Sequence, residues 1–238
     1  MKFSIIFPSR DRVEMLTDLL NSINNTTYDK ENIEVLVAVD KDDFKTQERI
    51  LKIIHGGFHW IKMHVVTRSL NFSRDYYSYL YKQSQGKWII VCNDDAEFTT
   101  QDWDVEAEKV LTGYIKDGPN VVLGWIEDNL GANRLTQFAD YCCFPLFGRD
   151  GVDALGGIFP DRIPTWGADI FAHKLYGSLK RIIKIPMEIK HITHHNNTRP
   201  IDDVTKRIAD NQVPYDMNPT YQEVNSLIRA MRNVKPAK

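Results

Sequence analysis

The stretch GKWIIVCNDDAEF, Gly86–Phe98, decides how the rest of the chain is read. Its first half, Trp88 to Cys92, is an apolar run rich in β-formers, as a buried strand requires. It drives straight into Asn93, Asp94 and Asp95, with Glu97 close behind. A turn needs only one Asn or Asp, whose side chain bonds its own backbone. Carboxylates packed this closely repel one another unless something positive sits among them. The stretch therefore reads as a strand that ends on a site.

Upstream, FSIIFP reads as a strand, and the segment after it places Val13, Leu16, Leu19, Leu20 and Ile23 on one helical face. IEVLVAVD is a near-continuous apolar strand, the pattern of a parallel strand covered on both faces. A helix over Phe44 to Ile54, a short strand MHVVT and a helix from Ser73 to Gln85 lead into KWIIVC. Downstream, a helix is expected near Asp102 and a strand at NVVLGW. This alternation predicts a doubly wound α/β fold with a mostly parallel central sheet. After Asn129 the rhythm breaks: RLTQFADYCCFPLFG reads as irregular or antiparallel, a short helix ends at Gly156-Gly157, a helix follows Trp166, and IIKIPMEIKHI returns to strand. From Thr193 the chain is polar, with a last helix over Tyr221 to Arg232.

At 238 residues the chain suits one large domain with an appendage. The 30 basic and 32 acidic residues nearly cancel, which points neither to disorder nor to a whole-protein attraction to nucleic acid. The opening MKFSIIFPSRDR is too short in its apolar run and too charged for a signal peptide. No stretch approaches the roughly 20 apolar residues of a membrane helix. Three cysteines, two of them the neighbours Cys142 and Cys143, make a poor disulfide framework. The expectation is a reduced, cytoplasmic protein.

Ligands of open α/β sheets bind at the carboxyl ends of the strands. The polar strand ends are Ser9 to Asp11, Asp40 to Asp43, Thr67 to Asn71 and Asn93 to Asp95. Neither a Gly-x-Gly-x-x-Gly after the first strand nor a P-loop is present, so phosphate would have to be held by metal and by cationic side chains.

Taken in order, IIFPSRDR, VLVAVD ending at Asp40, RSLNFSRDYY, the Gly86–Phe98 stretch and LGGIFPDRIPTWGADIFAHKLYG resemble the motifs of GT-A fold glycosyltransferases, closest to the inverting family 2 type. The resemblance covers Met1 to His195. It implies a GT-A sheet with a nucleotide-binding half at 1–128, a smaller acceptor and catalytic half at 129–195, and a C-terminal helical tail at 196–238. It also implies donor contacts from Pro8, Ser9, Arg10, Asp40, Arg68, Arg74, Asn93 and Asp94, with Asp40 reading uracil or another base and Arg74 near the phosphates. Asn93 to Asp95 stand where the family has Asp-x-Asp, with Asn in place of the first Asp. Asp95 is the metal ligand in that reading, completed by His191, in the position of the family's late Val-x-His, or by His194; His195 lies close enough to compete. Asp169 takes the catalytic-base position, with Asp150, Asp153 and Asp161 as nearby alternatives. Trp166 is the candidate for stacking on the acceptor.

The chemistry fits such residues. Loss of a nucleoside diphosphate leaves growing negative charge, which Mn²⁺ or Mg²⁺ on oxygen ligands can neutralise. A carboxylate at a helix start can take the acceptor proton. The aromatic run YYSYLY is assigned to packing. The expected function is metal-dependent, inverting transfer of a sugar from a nucleotide-diphosphate sugar, UDP-sugar first, to a hydroxyl of a glycan or of a hydroxymethylated DNA base. The basic runs KLYGSLKRIIK and TRPIDDVTKR supply local charge that would suit a phosphate backbone. The alternatives are a sugar-phosphate nucleotidyltransferase, disfavoured because PSRDRVEM carries no Gly, and a non-catalytic nucleotide-sugar-binding module.

Overall fold

The structure, a computed structural model, describes residues 2–116, 118–129, 141–192, 201–211 and 214–232. Among the described residues eight strands form one sheet: Phe3–Ser9 (β1), Ile33–Asp40 (β2), Ile61–Val66 (β3), Trp88–Val91 (β4), Ala96–Phe98 (β5), Leu123–Asp128 (β6), Leu146–Gly148 (β7) and Ile182–His191 (β8). Their order is β3-β2-β1-β4-β7-β6-β8-β5. β3, β2, β1 and β4 run parallel, as do β6 and β8, while β7 and β5 run against their neighbours. Every residue of β2 is buried, as its unbroken apolar run requires of a strand covered on both faces.

The helices are Val13–Thr26 (α1), Phe44–His55 (α2), Ser78–Gln83 (α3), Trp103–Ile115 (α4), Arg149–Leu155 (α5), Ala168–Ser178 (α6), Asp203–Asp210 (α7) and Tyr221–Arg232 (α8). α1 buries Leu16, Leu19, Leu20 and Ile23, the face expected from the spacing. α2 starts where Asp43 accepts from the Thr46 amide, 3.2 Å, an N-cap. α3 is preceded by a turn of π-helix at Ser73–Tyr77, so the expected Ser73–Gln85 helix is two pieces and stops at Gln83. α8 packs against α5 and buries Leu227.

Some boundaries differ from expectation for identifiable reasons. NVVLGW starts its strand late because Asn120 binds α5 instead: its amide donates to Asp150, 2.9 Å, and its carbonyl accepts from the Gly151 amide, 3.3 Å. Of the segment expected to be irregular or antiparallel, Leu146–Gly148 is the antiparallel strand β7, and 134–140 lie outside the described residues. β5 was not expected, and it matters most for the site. It pairs Ala96 with His191, so the end of β8 is delivered beside Asp95.

Candidate active site

Register brings the strand ends together. Ser9 pairs with Val39, and Ile6 with Val91, so the segments after β1, β2 and β4 open on one rim. Past β1, Asp11 adopts φ 54, a conformation Asp tolerates better than most residues, and its amide is fixed by Asp43 at 2.8 Å. This turn separates two arginines with different tasks. Arg10 donates to Asp40, 2.9 Å, and to both oxygens of Asp42, 2.6 and 3.2 Å. Arg12 turns toward the β4 end and donates to Asp94, 2.7 Å, with Asp95 at 3.8 Å.

Arg12 is therefore a positive charge among the acids of Gly86–Phe98. It also carries a third carboxylate: its Nε and Nη2 fork onto Asp202, 2.7 and 3.0 Å. Three carboxylates thus gather around one guanidinium. Burial pushes the Asp94 carboxyl above its usual range and Asp95 adds to this, while Arg12 and the Ser9 hydroxyl, 2.9 Å away, oppose it. Asp202 goes the other way: burial works against its charge, but the Arg12 and Thr205 hydrogen bonds hold it well below the usual carboxylate range. The acids in turn raise Arg12 further, against the cost of its own burial. Removing Arg12 would leave these buried carboxylates without their cation, a loss of about 3–5 kcal/mol.

His191 Nε2 lies 3.4 Å from Asp95 Oδ1, and its ring stacks edge-on against Phe144 with centroids 5.0 Å apart. The Ile192 amide donates to the Asp95 carbonyl, 2.7 Å, continuing the β5–β8 pairing. A buried carboxylate facing an imidazole, within a cluster of acids, is a donor set that fits a divalent cation. The imidazole favours Mn²⁺ over Mg²⁺. Among the described residues no group of three or more His, Cys, Asp or Glu is placed to hold a metal, so other ligands would have to complete the shell.

The neutral Asn93 has a local reason. Its Oδ1 accepts from the Tyr77 hydroxyl, 2.8 Å, which also reaches the Cys92 carbonyl, 3.2 Å. Burial raises the Tyr77 hydroxyl well above its usual pKa, with Cys92, Asp94, Asp95 and Asp169 adding to the effect. Asp169 thus shares one neighbourhood with the β4 acids, although it comes from the first turn of α6. On the β2 side, Tyr76 donates to Asp40, 2.6 Å, and Arg68 stands 3.8 Å from the same carboxylate. YYSYLY does pack, as expected; two of its hydroxyls also fix site residues.

These groups line one cleft of about 690 Å³. Pro8, Ser9, Arg10, Asp40, Arg68, Asn93, Asp94, Asp95 and His191 contribute from the strand ends, and Trp166 and Asp169 from the segment that opens α6. Arg74 does not join them: its exposed guanidinium is held by Asp75 at 2.8 and 2.9 Å and borders a separate cavity with Asp161. Asp150 and Asp153 are also outside the cleft, engaged by the Asn120 amide and by the Tyr81 hydroxyl. His194 and His195 lie outside the described residues. Sequence reasoning missed Arg12, Tyr76, Tyr77 and the tail residues Thr205, Tyr215 and Met217, all of which line the cleft. Arg12 carried a signal, as the second arginine of the turn after β1.

The sequence model of the family described as Glycosyl transferase family 2 matches residues 4–166. Among solved structures, S. aureus TarS 1-349 in complex with UDP is similar with a TM-score of 0.61 and 17% identity, over 80% of this chain and 60% of that one. The same protein in complex with UDP-GlcNAc gives 0.59 and 16%, over 87% and 64%. The mannosyltransferase PcManGT from Pyrobaculum calidifontis, in complex with GDP-Man and Mn²⁺, gives 0.62 and 15%, over 96% and 73%. This chain thus spans less than two thirds of the two TarS chains. No curated protein matches it.

Proposed function

This chain belongs to glycosyl transferase family 2, and on that premise we propose that it moves a sugar, with inversion, from a nucleotide-diphosphate sugar to an acceptor hydroxyl. The fold is the GT-A fold and the activity class is glycosyl transfer. The observation that carries the finer reading is the single cleft in which Asp40, the Asn93–Asp95 cluster, His191 and Asp169 meet.

In this reading the nucleotide lies across the ends of β1 and β2, with Asp40 at the base and Pro8, Ser9, Arg10 and Arg68 around it. UDP is the first choice, on the family resemblance and on the UDP and UDP-GlcNAc bound by the TarS structures. Arg74 keeps a role at the phosphates only if its pair with Asp75 opens. Asp95 and His191, with His194 as the further candidate, would hold Mn²⁺ or Mg²⁺, which when bound supplies positive charge for the departing diphosphate. The Mn²⁺ of the mannosyltransferase structure supports that choice.

The chain's own groups carry the remaining chemistry. Asp169 accepts the proton of the acceptor hydroxyl as that oxygen bonds the anomeric carbon, and the electrons of the broken glycosidic bond leave with the diphosphate. Trp166, 42% exposed at the mouth of the cleft, offers an apolar face to the acceptor. Glycans and hydroxymethylated DNA bases are the two acceptor classes to assay. The division at 128, 195 and 238 into nucleotide half, acceptor half and tail is retained as part of the proposal. Among the described residues no helix is long and apolar enough to cross a membrane, and no disulfide joins the three cysteines; a cytoplasmic location is proposed with the rest.

The test is a calorimetric titration of Mn²⁺ with and without UDP. Two protein ligands leave most of the metal shell to phosphate and water, so the ion should bind weakly alone and far more tightly with UDP. Equal affinities would sink the shared site.

A further inference from the structure

We propose that Asp202 is a positioning residue for sugar transfer: through Arg12 it fastens α7 beside the acid cluster, and so sets the wall that keeps water from the donor. The inference rests on the reading of this cleft as a sugar-transfer site.

Asp202 immediately precedes α7 and caps it, accepting from the Thr205 amide at 2.8 Å. The same carboxylate receives the fork of Arg12, 2.7 and 3.0 Å, and Arg12 Nη2 also donates to the Thr205 hydroxyl, 3.0 Å. The remaining nitrogen, Nη1, is the one on Asp94. One guanidinium, its side chain only 11% exposed, therefore joins the end of β4 to the start of α7, whose Asp202 lies 190 residues from Arg12 in sequence. A bidentate pair of this kind fixes orientation as well as distance.

What α7 presents to the cleft explains why that orientation matters. Val204, Thr205, Arg207 and Ile208 line it, and beyond the helix so do Pro214, Tyr215 and Met217. The Met217 sulfur stands where a Cβ on Gly167 would be, and Gly167 is the N-cap of α6, two residues before Asp169. Asn218 holds that end, its carbonyl accepting from Arg162 and its Oδ1 from Lys174, each at 3.0 Å. The tail thus contacts the site twice, once at the acid cluster and once at the helix that carries the base. Apolar side chains between the two contacts exclude water from the carbon under attack, which suppresses hydrolysis of the donor.

A purely structural staple would lose stability when cut, and nothing else. A positioning residue, when cut, should raise the rate of donor loss to water. The experiment uses UDP-glucose with Mn²⁺ and no acceptor. Asp202→Asn keeps the helix cap, since Asn caps as well as Asp, but cannot accept the charged fork. At saturating UDP-glucose it should hydrolyse the donor several-fold faster than the wild type. Trypsin should cut it after Lys206 or Arg207 about tenfold faster, because α7 opens locally. Met217→Ala, which loosens the second contact, should move both readouts the same way. Faster cutting without faster hydrolysis overturns the inference, and so do variants that match the wild type in both. A wild type that fails to bind UDP overturns the sugar-transfer reading, and the inference with it; a UDP-binding wild type with unchanged variants overturns the inference alone.

Discussion

Burial raises the Asp94 carboxyl and Asp95 adds to it, while Arg12 pulls it down without restoring it to the usual range. A carboxylate whose folded pKa lies above the unfolded value of about 3.9 contributes stability that is present below that pH and lost as pH rises through the folded pKa. At pH 7 the ligand-free protein therefore bears the cost of this charge. Asp94→Asn should melt higher than the wild type at pH 7, the gap closing as pH falls toward about 4, and should bind UDP with Mn²⁺ more weakly. A variant that melts lower at pH 7 would show that the Arg12 contact outweighs burial. Asp169 presents a different test. Asp169→Asn keeps the size of the side chain and most of its hydrogen bonds, so UDP affinity should survive while turnover of UDP-glucose falls by roughly 10²–10⁴-fold. Near-normal turnover would move the base elsewhere. Sugar released in the donor's own configuration, read by NMR before mutarotation, would remove the inverting assignment.

At the scale of elements, β4 is the strand that carries the site, and its entry is tightly specified. A Cβ on Gly86 would stand 2.5 Å from the Ser4 amide nitrogen of β1, while the Gly86 amide donates to Ser4 Oγ, 2.8 Å, and its carbonyl accepts from Arg149, 2.6 Å. Gly86→Ala must push backbone rather than a flexible side chain. Urea unfolding should lose about 1–3 kcal/mol, seen as a lower midpoint with the slope unchanged. A wild-type midpoint would mean that β1 and β4 can separate at no cost. The strands flanking this seam were legible in the sequence because parallel strands covered on both faces leave apolar runs, and α1 and α8 because their apolar faces repeat at helical spacing. β5 was not legible: three residues following two aspartates look like a turn, and their partner in β8 lies more than 90 residues away. α7 was hidden for a related reason. Its polar sequence becomes part of the site through Arg12 and Asp202, a pair that no local pattern could reveal. The acids themselves were legible as a site because their spacing is unfavourable without a cation. That Arg12 supplies a positive charge, and gathers a third carboxylate from the tail, depends on the fold.

Across the whole molecule, the cleft is built from both ends of the chain: the turn after β1 supplies Arg10 and Arg12, the middle strands supply the acids, and the tail closes one side. A ligand that fills it contacts segments that are far apart in the unfolded chain, so binding should stabilise the native state as a unit. For a ligand that binds only the folded protein, 100-fold excess over Kd adds about 2.7 kcal/mol. In a domain of 150–250 residues each kcal/mol is worth about 2–4 °C, so the melting temperature should rise by roughly 5–10 °C. UDP and GDP should be compared at matched concentrations, each with and without Mn²⁺, since the similar solved structures hold UDP in one case and GDP-Man with Mn²⁺ in the other. A shift with UDP plus Mn²⁺ that exceeds the sum of the separate shifts would place the metal and the diphosphate in contact, because independent sites add. The Asp40→Ala protein should lose most of the UDP shift, since Tyr76 and Arg10 hold that carboxylate at the ends of β1 and β2 where the base is placed. An undiminished shift in that variant would put the base elsewhere, and no shift with any nucleoside diphosphate at millimolar concentration would remove the donor site from this cleft.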